Sequence, residues 1–307
     1  MDEKTTVSED EIMFGRLAAL VCDGEEATVD EVRAGLALSI DQTLLDPCVG
    51  PEAVAAWARA NAHSGFATLC VQPCNAARVA WELTELNSTT ATCSVLAFPQ
   101  GQSSAEDLCF QAAVLMAAGV AEFDLVMNYG AFLEGTYDEV VRPIVSVLQT
   151  LDADLDEDEA ADEGGASCGC GCGHHHEHEH HHDDSCDDDH DGEEELPAPV
   201  LKVILETGCL SDEQICAATD LVSSLGVDFV KTSTGFGPRG ATVHDVQLMC
   251  ATVEPGVQVK AAGGIRTLTD ALAMLEAGAT RLGTSHGEAI LAEFDALAAR
   301  LGLLSQS

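Results

Sequence analysis

Val200-Leu201-Lys202-Val203-Ile204-Leu205-Glu206-Thr207, Val227-Asp228-Phe229-Val230-Lys231-Thr232-Ser233-Thr234 and Val257-Gln258-Val259-Lys260-Ala261-Ala262-Gly263-Gly264 are three apolar runs of strand length. Stretches with helical spacing over 212–225 and 242–253 separate them. Near-continuous apolar strands divided by helices mean parallel pairing with both faces of the sheet covered. The alternation extends outward in both directions. Strand-like runs occur at 36–45, 66–73, 91–99, 121–128 and 279–285, and helical stretches at 51–62, 74–86, 104–117, 138–150, 268–277 and 287–301. Eight such units fit a closed barrel better than an open doubly wound sheet, which more often shows G-x-G-x-x-G after its first strand. The expected fold is therefore an α/β protein with a TIM (β/α)8 barrel over residues 36–303. Ser8 with Glu11 and Thr28 with Glu31 have capping-box spacing, which predicts two helices over 9–21 and 29–35 in an N-terminal helical extension, residues 1–35.

At 307 residues the chain is about twice the usual domain length of roughly 150, yet barrels of about 250 residues fold as one unit. Fifty-three acidic against 13 basic side chains give a formal charge of −40, which repels phosphate backbones and anionic headgroups, so neither nucleic acid nor a membrane is an expected partner. No apolar run approaches the roughly 20 residues of a spanning helix, and Met1-Asp2-Glu3-Lys4 does not begin a signal peptide. A cytoplasmic location is expected. Nine of the 13 cysteines are scattered singly through apolar segments, as small hydrophobes in a reducing compartment are, and no disulfide framework is implied.

Residues 152–197 interrupt the link between the fourth helix and the fifth strand with an acidic, His-rich and Cys-rich insertion that has almost no large apolar residue. It is expected to be disordered without a ligand. Cys168, Cys170 and Cys172, followed by His174, His176, His178 and His180, offer thiolate and imidazole ligands suited to Zn, Ni, Co or Cu. Their spacing is too dense for one tetrahedral site and suggests several exchanging ions. A solvated spacer without metal, or a protein whose main task is metal storage, are the other readings. Loops from helix to strand lie on the barrel face opposite the strand C-termini, so the insertion is expected to hang away from an active site.

The chain has only four lysines, and three of them fall inside apolar runs where a solvating lysine is out of place. Burial strips solvation from an ammonium and favours the free amine, the form that attacks a carbonyl. Lys231 and Lys260 stand on adjacent strands, where like charge favours loss of one proton. Asp124, inside Glu122-Phe123-Asp124-Leu125-Val126-Met127-Asn128, supplies a carboxylate that needs a partner. A structural ion pair is the rival reading for Lys231. At Lys202, placed near the barrel floor, that structural reading is preferred. Gly263-Gly264 after the seventh strand and Gly283-Thr284-Ser285-His286-Gly287 after the eighth have the small residues of a barrel phosphate site. Cys70 is expected to line the pocket. Asp41 and Thr43, at the end of the first strand, fit substrate contact or structural hydrogen bonding equally.

With these motifs in place the sequence resembles the deoxyribose-phosphate aldolases, class I aldolases with a barrel fold. The resemblance runs from about Ser39 to Ile290, the insertion excepted. It rests on Ile40-Asp41-Gln42-Thr43-Leu44-Leu45, Phe98-Pro99-Gln100-Gly101, Phe123 to Asn128, Leu201 to Thr207, Asp228 to Gly235, Lys260 to Thr267, and Arg281-Leu282-Gly283-Thr284-Ser285. It implies reversible cleavage of 2-deoxy-D-ribose 5-phosphate to acetaldehyde and D-glyceraldehyde 3-phosphate, with no cofactor for catalysis. Lys231 is then the Schiff-base lysine, Lys260 the lysine that tunes it and Asp124 the relay carboxylate. Gly235, Gly263, Gly264 and Ser285 form the phosphate site, Thr43 and Cys70 join the substrate pocket, and the chain is expected to be a homodimer. A Schiff-base aldolase acting on another phosphorylated sugar is the alternative. Gln42, Leu108, Phe236 and His286 depart from the family pattern.

Overall fold

A computed structural model describes residues 8–22, 27–160 and 198–303. Eight parallel strands close a barrel in simple sequence order, β1 to β8, with β8 pairing back onto β1. The strands are β1 (Ile40–Leu44), β2 (Thr68–Val71), β3 (Ala91–Leu96), β4 (Glu122–Val126), β5 (Val200–Ile204), β6 (Phe229–Lys231), β7 (Gln258–Ala262) and β8 (Arg281–Thr284). Before β1 lie α1 (Glu9–Val21) and α2 (Val29–Leu38). The other helices are α3 (Pro51–Asn61), α4 (Pro73–Glu85), α5 (Ala105–Ala117), α6 (Tyr129–Glu134), α7 (Asp138–Ala160), α8 (Asp212–Ser223), α9 (Val243–Thr252), α10 (Leu268–Glu276) and α11 (Gly287–Arg300). All eight expected strands are present.

Both predicted capping boxes form. Ser8 accepts from the Glu11 amide and Thr28 from the Glu31 amide, while each glutamate carboxylate accepts from the cap residue's own N–H. The second helix continues past the expected residue 35 to Leu38, and the strand begins only at Ile40. Leu36, Ala37 and Ile40 are buried on the two sides of the boundary, so the apolar run from Leu36 hides it. Both helices of the extension pack on α11, and α1 also on α10. Arg33 pairs with Asp295 at 2.8 Å and Arg300 with Asp10 at 2.7 Å across these contacts.

Two further departures lie around the fourth unit. A six-residue helix, α6, follows β4, too short to register as a periodic pattern; Asn128 caps it by accepting from the Ala131 amide at 3.0 Å. The long helix α7, expected to end near residue 150, runs to Ala160, because Asp and Glu interspersed with Leu and Ala contain no breaker. The expectation of disorder across 152–197 lies outside the described residues from 161 onward, and residues 152–160 belong to α7 instead.

Strand alternation divides the buried side chains into two sets. On β4, Phe123 and Leu125 belong to the large core between strands and helices, while Glu122 and Asp124 make their contacts inside the barrel. Within the barrel, Leu45, Cys70, Cys93 and Val95, with Phe98 against them, form a small apolar cluster on the β1–β3 side. Charged groups from β4 to β8, with Asp41 of β1, occupy the rest of the interior. Phe123 is fully buried. Phe123→Ala is expected to cost about 3–5 kcal/mol, measured as a lower urea midpoint with an unchanged slope; a loss below about 1 kcal/mol would show that the shell between sheet and helices repacks freely.

Candidate active site

Asp124, at the middle of β4, is the meeting point of three lysines. Its Oδ2 accepts from Lys231 Nζ at 2.5 Å and Lys260 Nζ at 2.6 Å, and its Oδ1 accepts from Lys202 Nζ at 3.0 Å. Strand register makes this possible. Lys231 stands opposite Lys260 on the neighbouring strand, and Asp124 stands opposite Lys202. The two lysines and the aspartate singled out in the sequence are thus brought within one hydrogen-bonded group.

Lys202 is the correction. Its place at the start of the fifth apolar run suggested the barrel floor, but β5 ends at Ile204, which makes Lys202 the middle residue of a five-residue strand, level with Asp124 at the middle of β4. It is an ion-paired residue as expected, with Glu122 at 2.7 Å and Asp41 at 3.6 Å besides Asp124. Its partners, however, belong to the central cluster.

Around this core lies a second ring of charge. Asp41 Oδ2 pairs with Lys260 Nζ at 2.5 Å, and Asp41 Oδ1 accepts from Arg281 at 2.7 Å. Arg281 also reaches Glu122 at 3.2 Å and lies over the Phe229 ring. Glu122 and Arg281 were not singled out in the sequence. The signal was there for Glu122, two residues before Asp124 in a strand and so on the same face. Gly283 on β8 leaves room for the Lys260 stem: a Cβ there would lie 3.0 Å from Ala262 Cβ and 3.2 Å from Lys260 Cε.

The electrostatics follow from burial and partners. At Asp124 burial favours the neutral acid, but Lys202, Lys231 and Lys260 outweigh it and hold the carboxyl well below the usual range. At Asp41 burial is likewise overcome, chiefly by Lys260 and Lys202, and its pKa is also lowered. Burial opposes the charge on Lys260, yet Asp124 and Asp41 raise its pKa against the push of Lys202. The pKa of Lys202 is raised further, its burial offset first by Asp124. Like-charge repulsion between the lysines is therefore overridden at these two by the carboxylates. Lys202 and Lys260 are completely buried, whereas Lys231, the last residue of β6, is 3% exposed and has one carboxylate partner. Of the three it is the one that a small molecule entering the mouth can reach.

Beyond Lys231, two of the expected phosphate loops, at Gly235 and at Gly263-Gly264, come together. Gly235, Gly263 and Gly264 all have positive φ, at 84°, 88° and 88°. A Cβ on Gly263 would lie 2.9 Å from Gly240 Cα and 3.5 Å from Gly235 Cα, so the loops after β6 and β7 touch backbone to backbone. Glu206, at the end of β5, accepts from the Thr234 amide at 3.3 Å and from its hydroxyl, fixing the start of the Gly235 loop. Ser285 is exposed after β8, next to Thr284, whose hydroxyl donates to Ile265 O at 2.7 Å. Gln42 accepts from the Gly287 amide at 3.0 Å and ties β1 to the start of α11.

The remaining expectations divide. Thr43 is half-buried at the end of β1, and its hydroxyl donates to Asp41 O at 2.9 Å. Cys70 is buried opposite Cys93 inside the barrel. Cys168, Cys170, Cys172, His174, His176, His178 and His180 lie outside the described residues.

Residues 183–293 match the model of the DeoC/LacD family aldolases. The chain is 38% identical over 265 residues to the deoxyribose-phosphate aldolase of Kocuria rhizophila, covering 86% of this chain and 98% of that one. With the deoxyribose-phosphate aldolase of Caldanaerobacter subterraneus it shares 34% identity over 265 residues, covering 86% of this chain and 96% of the relative. The solved tetrameric deoxyribose phosphate aldolase of Aeropyrum pernix superposes with a TM-score of 0.67 at 25% identity, covering 93% of this chain and 97% of that one. With this likeness along the whole barrel, the chain belongs to the deoxyribose-phosphate aldolase family.

Proposed function

We propose that this enzyme cleaves 2-deoxy-D-ribose 5-phosphate reversibly to D-glyceraldehyde 3-phosphate and acetaldehyde through a Schiff base on Lys231. The observation that carries the assignment is one carboxylate, Asp124, shared between a lysine at the barrel mouth and two wholly buried lysines. Lys231 Nζ, as the free amine, attacks C1 of the open-chain sugar, and the carbinolamine loses water to give an iminium ion. The C2–C3 bond then breaks, its electrons moving into the iminium to form an enamine. Asp124 takes the C3 hydroxyl proton directly or through a water, and glyceraldehyde phosphate leaves. Protonation of the enamine at C2 and hydrolysis return Lys231 and release acetaldehyde.

The raised pKa of Lys260 and Lys202 keeps both as ammonium ions, so they serve electrostatics and leave nucleophilic attack to Lys231. A cation also leaves the Asp124 shell during the cycle. Once the nitrogen of Lys231 belongs to a neutral enamine, one of the three charges holding Asp124 ionised is gone, and the carboxylate becomes a better base as it receives the proton. Gly235, Gly263, Gly264 and Ser285 take the 5-phosphate through backbone N–H groups and a hydroxyl.

The same reading has a homodimer in the cytoplasm. Phe110 and Val114 lie one turn apart on α5 and are 75% and 52% exposed, an apolar surface suited to a second copy. No helix among the described residues is long and apolar enough to cross a membrane. On the insertion, Cys168 to His180 bind several Zn, Ni, Co or Cu ions without a part in catalysis, because the segment joins α7 to the start of β5, away from the strand C-termini.

Borohydride added with acetaldehyde should fix a two-carbon adduct on the Lys231 peptide; an unmodified peptide, or the adduct on Lys202 or Lys260, rejects the assignment. Substrate choice is read from kcat/KM, highest on deoxyribose 5-phosphate and overturned by preference for ribose or fructose phosphates. Lys260→Leu removes a cation from Asp124, whose pKa then rises. Because the relay needs the ionised carboxylate, the acid limb of the pH-rate profile should move to higher pH, with kcat lower by about 10²–10⁴-fold; an unmoved limb contradicts the role. Deleting residues 163–195 should leave turnover nearly intact and abolish most zinc and nickel uptake, as equilibrium dialysis would show; lost turnover in a folded deletion protein sinks the division of labour.

A further inference from the structure

We propose that Cys70, Cys93 and Asp124 form a site for a thiophilic divalent cation of the zinc group, and that its occupation stops turnover. Register places Cys70 of β2 directly opposite Cys93 of β3, and both are fully buried inside the barrel. The two sulfurs and a carboxylate oxygen of Asp124 all lie within 4.8 Å of one another. Two thiolates and a carboxylate are a donor set that zinc and cadmium take and that magnesium and calcium do not.

The charge balance permits such an ion. Binding M²⁺ to two thiols forms two M–S bonds and releases two protons, so the net charge of the buried cluster is unchanged. The two oxygens of Asp124 are already divided. Oδ2 faces Lys231 and Lys260, while Oδ1 accepts from the Cys93 thiol at 3.5 Å and from Lys202 at 3.0 Å. Ligation through Oδ1 displaces the Lys202 ammonium, which keeps Glu122 at 2.7 Å and Asp41 at 3.6 Å.

Val95 and Phe98, which pack on this thiol pair, also line a cavity of about 350 Å³. An ion on Oδ1 draws charge from the whole carboxylate and lowers its basicity toward the C3 hydroxyl proton. This inhibitory consequence rests on the reading of Asp124 as the proton carrier; the binding does not.

The test uses the full-length protein with free zinc fixed by a nitrilotriacetate buffer, so that uptake by the Cys- and His-rich insertion leaves the free concentration unchanged. Turnover should fall as free zinc rises and return on adding EDTA. In Cys93→Ala, measured against its own zinc-free rate, half-inhibition should need about tenfold more free zinc or higher, the least expected from losing a ligand when outer-shell changes alone cost 10–100-fold. Cys70→Ala is the second variant should the first fail to fold. Binding is followed separately by the ultraviolet thiolate-to-cadmium absorption, part of which each variant should lose. Equal half-inhibition and equal cadmium absorption in variant and wild type overturn the site. Cadmium absorption lost in the variant, with wild-type turnover indifferent to zinc, leaves the site standing and overturns the inhibition together with the proton-carrying role of Asp124.

Discussion

An ionised carboxylate at the centre of a protein is tolerable only when its charge is answered on the spot, and Asp124 is answered three times over. That requirement reaches far into the structure. Three lysines on consecutive strands must point to one atom pair, which fixes the register of β5, β6 and β7 against β4. Their combined charge then demands Asp41 and Glu122, and those two hold Arg281. Space for the long stems comes from Gly283 on one side and small thiols on the other. An apolar interior of the same shape would be easier to stabilise, so the ionic one is best understood through the chemistry it allows.

That chemistry depends on unequal burial within one network. Lys202 and Lys260 have no exposed surface and two or more carboxylate partners, so their charge is fixed. Lys231 has a single carboxylate partner and sits at the rim. The proposed covalent cycle on Lys231 would change the charge of one member while the others stay constant, and Asp124 would report that change as basicity. The loops support the same division. Glu206 and the close approach of Gly240 to Gly263 brace the loops after β6 and β7, so in the proposed mechanism the distance from phosphate to imine nitrogen is set by backbone.

How much of this could be read in the sequence depended on contrast. Lys231, Lys260 and Asp124 stand out because each is ionisable inside an apolar run. The barrel follows from eight repeats of one pattern, and the capping boxes from local spacing. Lys202 was visible too, but its height in the barrel was not, because the apolar run continues past Ile204 while the strand ends there, so the sequence pattern hides that Lys202 is the strand's middle residue. Cys93 reads as one more small hydrophobe, and Glu122 is not singled out at all. Their importance lies in which strand stands beside them. The end of α2 and the start of β1 were blurred because both are apolar, and α6 is shorter than the window in which a helical period can be recognised.

The chain as a whole carries −40, yet its substrate is an anion. The interior resolves the conflict locally. Asp41, Glu122 and Asp124 face Lys202, Lys231, Lys260 and Arg281, leaving the barrel centre with one more positive than negative group. Surface carboxylates act through water and salt, and at physiological ionic strength their field fades over about 8 Å, whereas the buried groups are screened far less. In the proposed site, with Phe236 after the Lys231 strand, the phosphate relies on amides of Gly235, Gly263 and Gly264, which carry no net charge and need none. On that proposal the attraction that brings a sugar phosphate to Lys231 is short-ranged and internal. An acidic surface can be tolerated because it is kept out of electrical contact with the place where the anion is held.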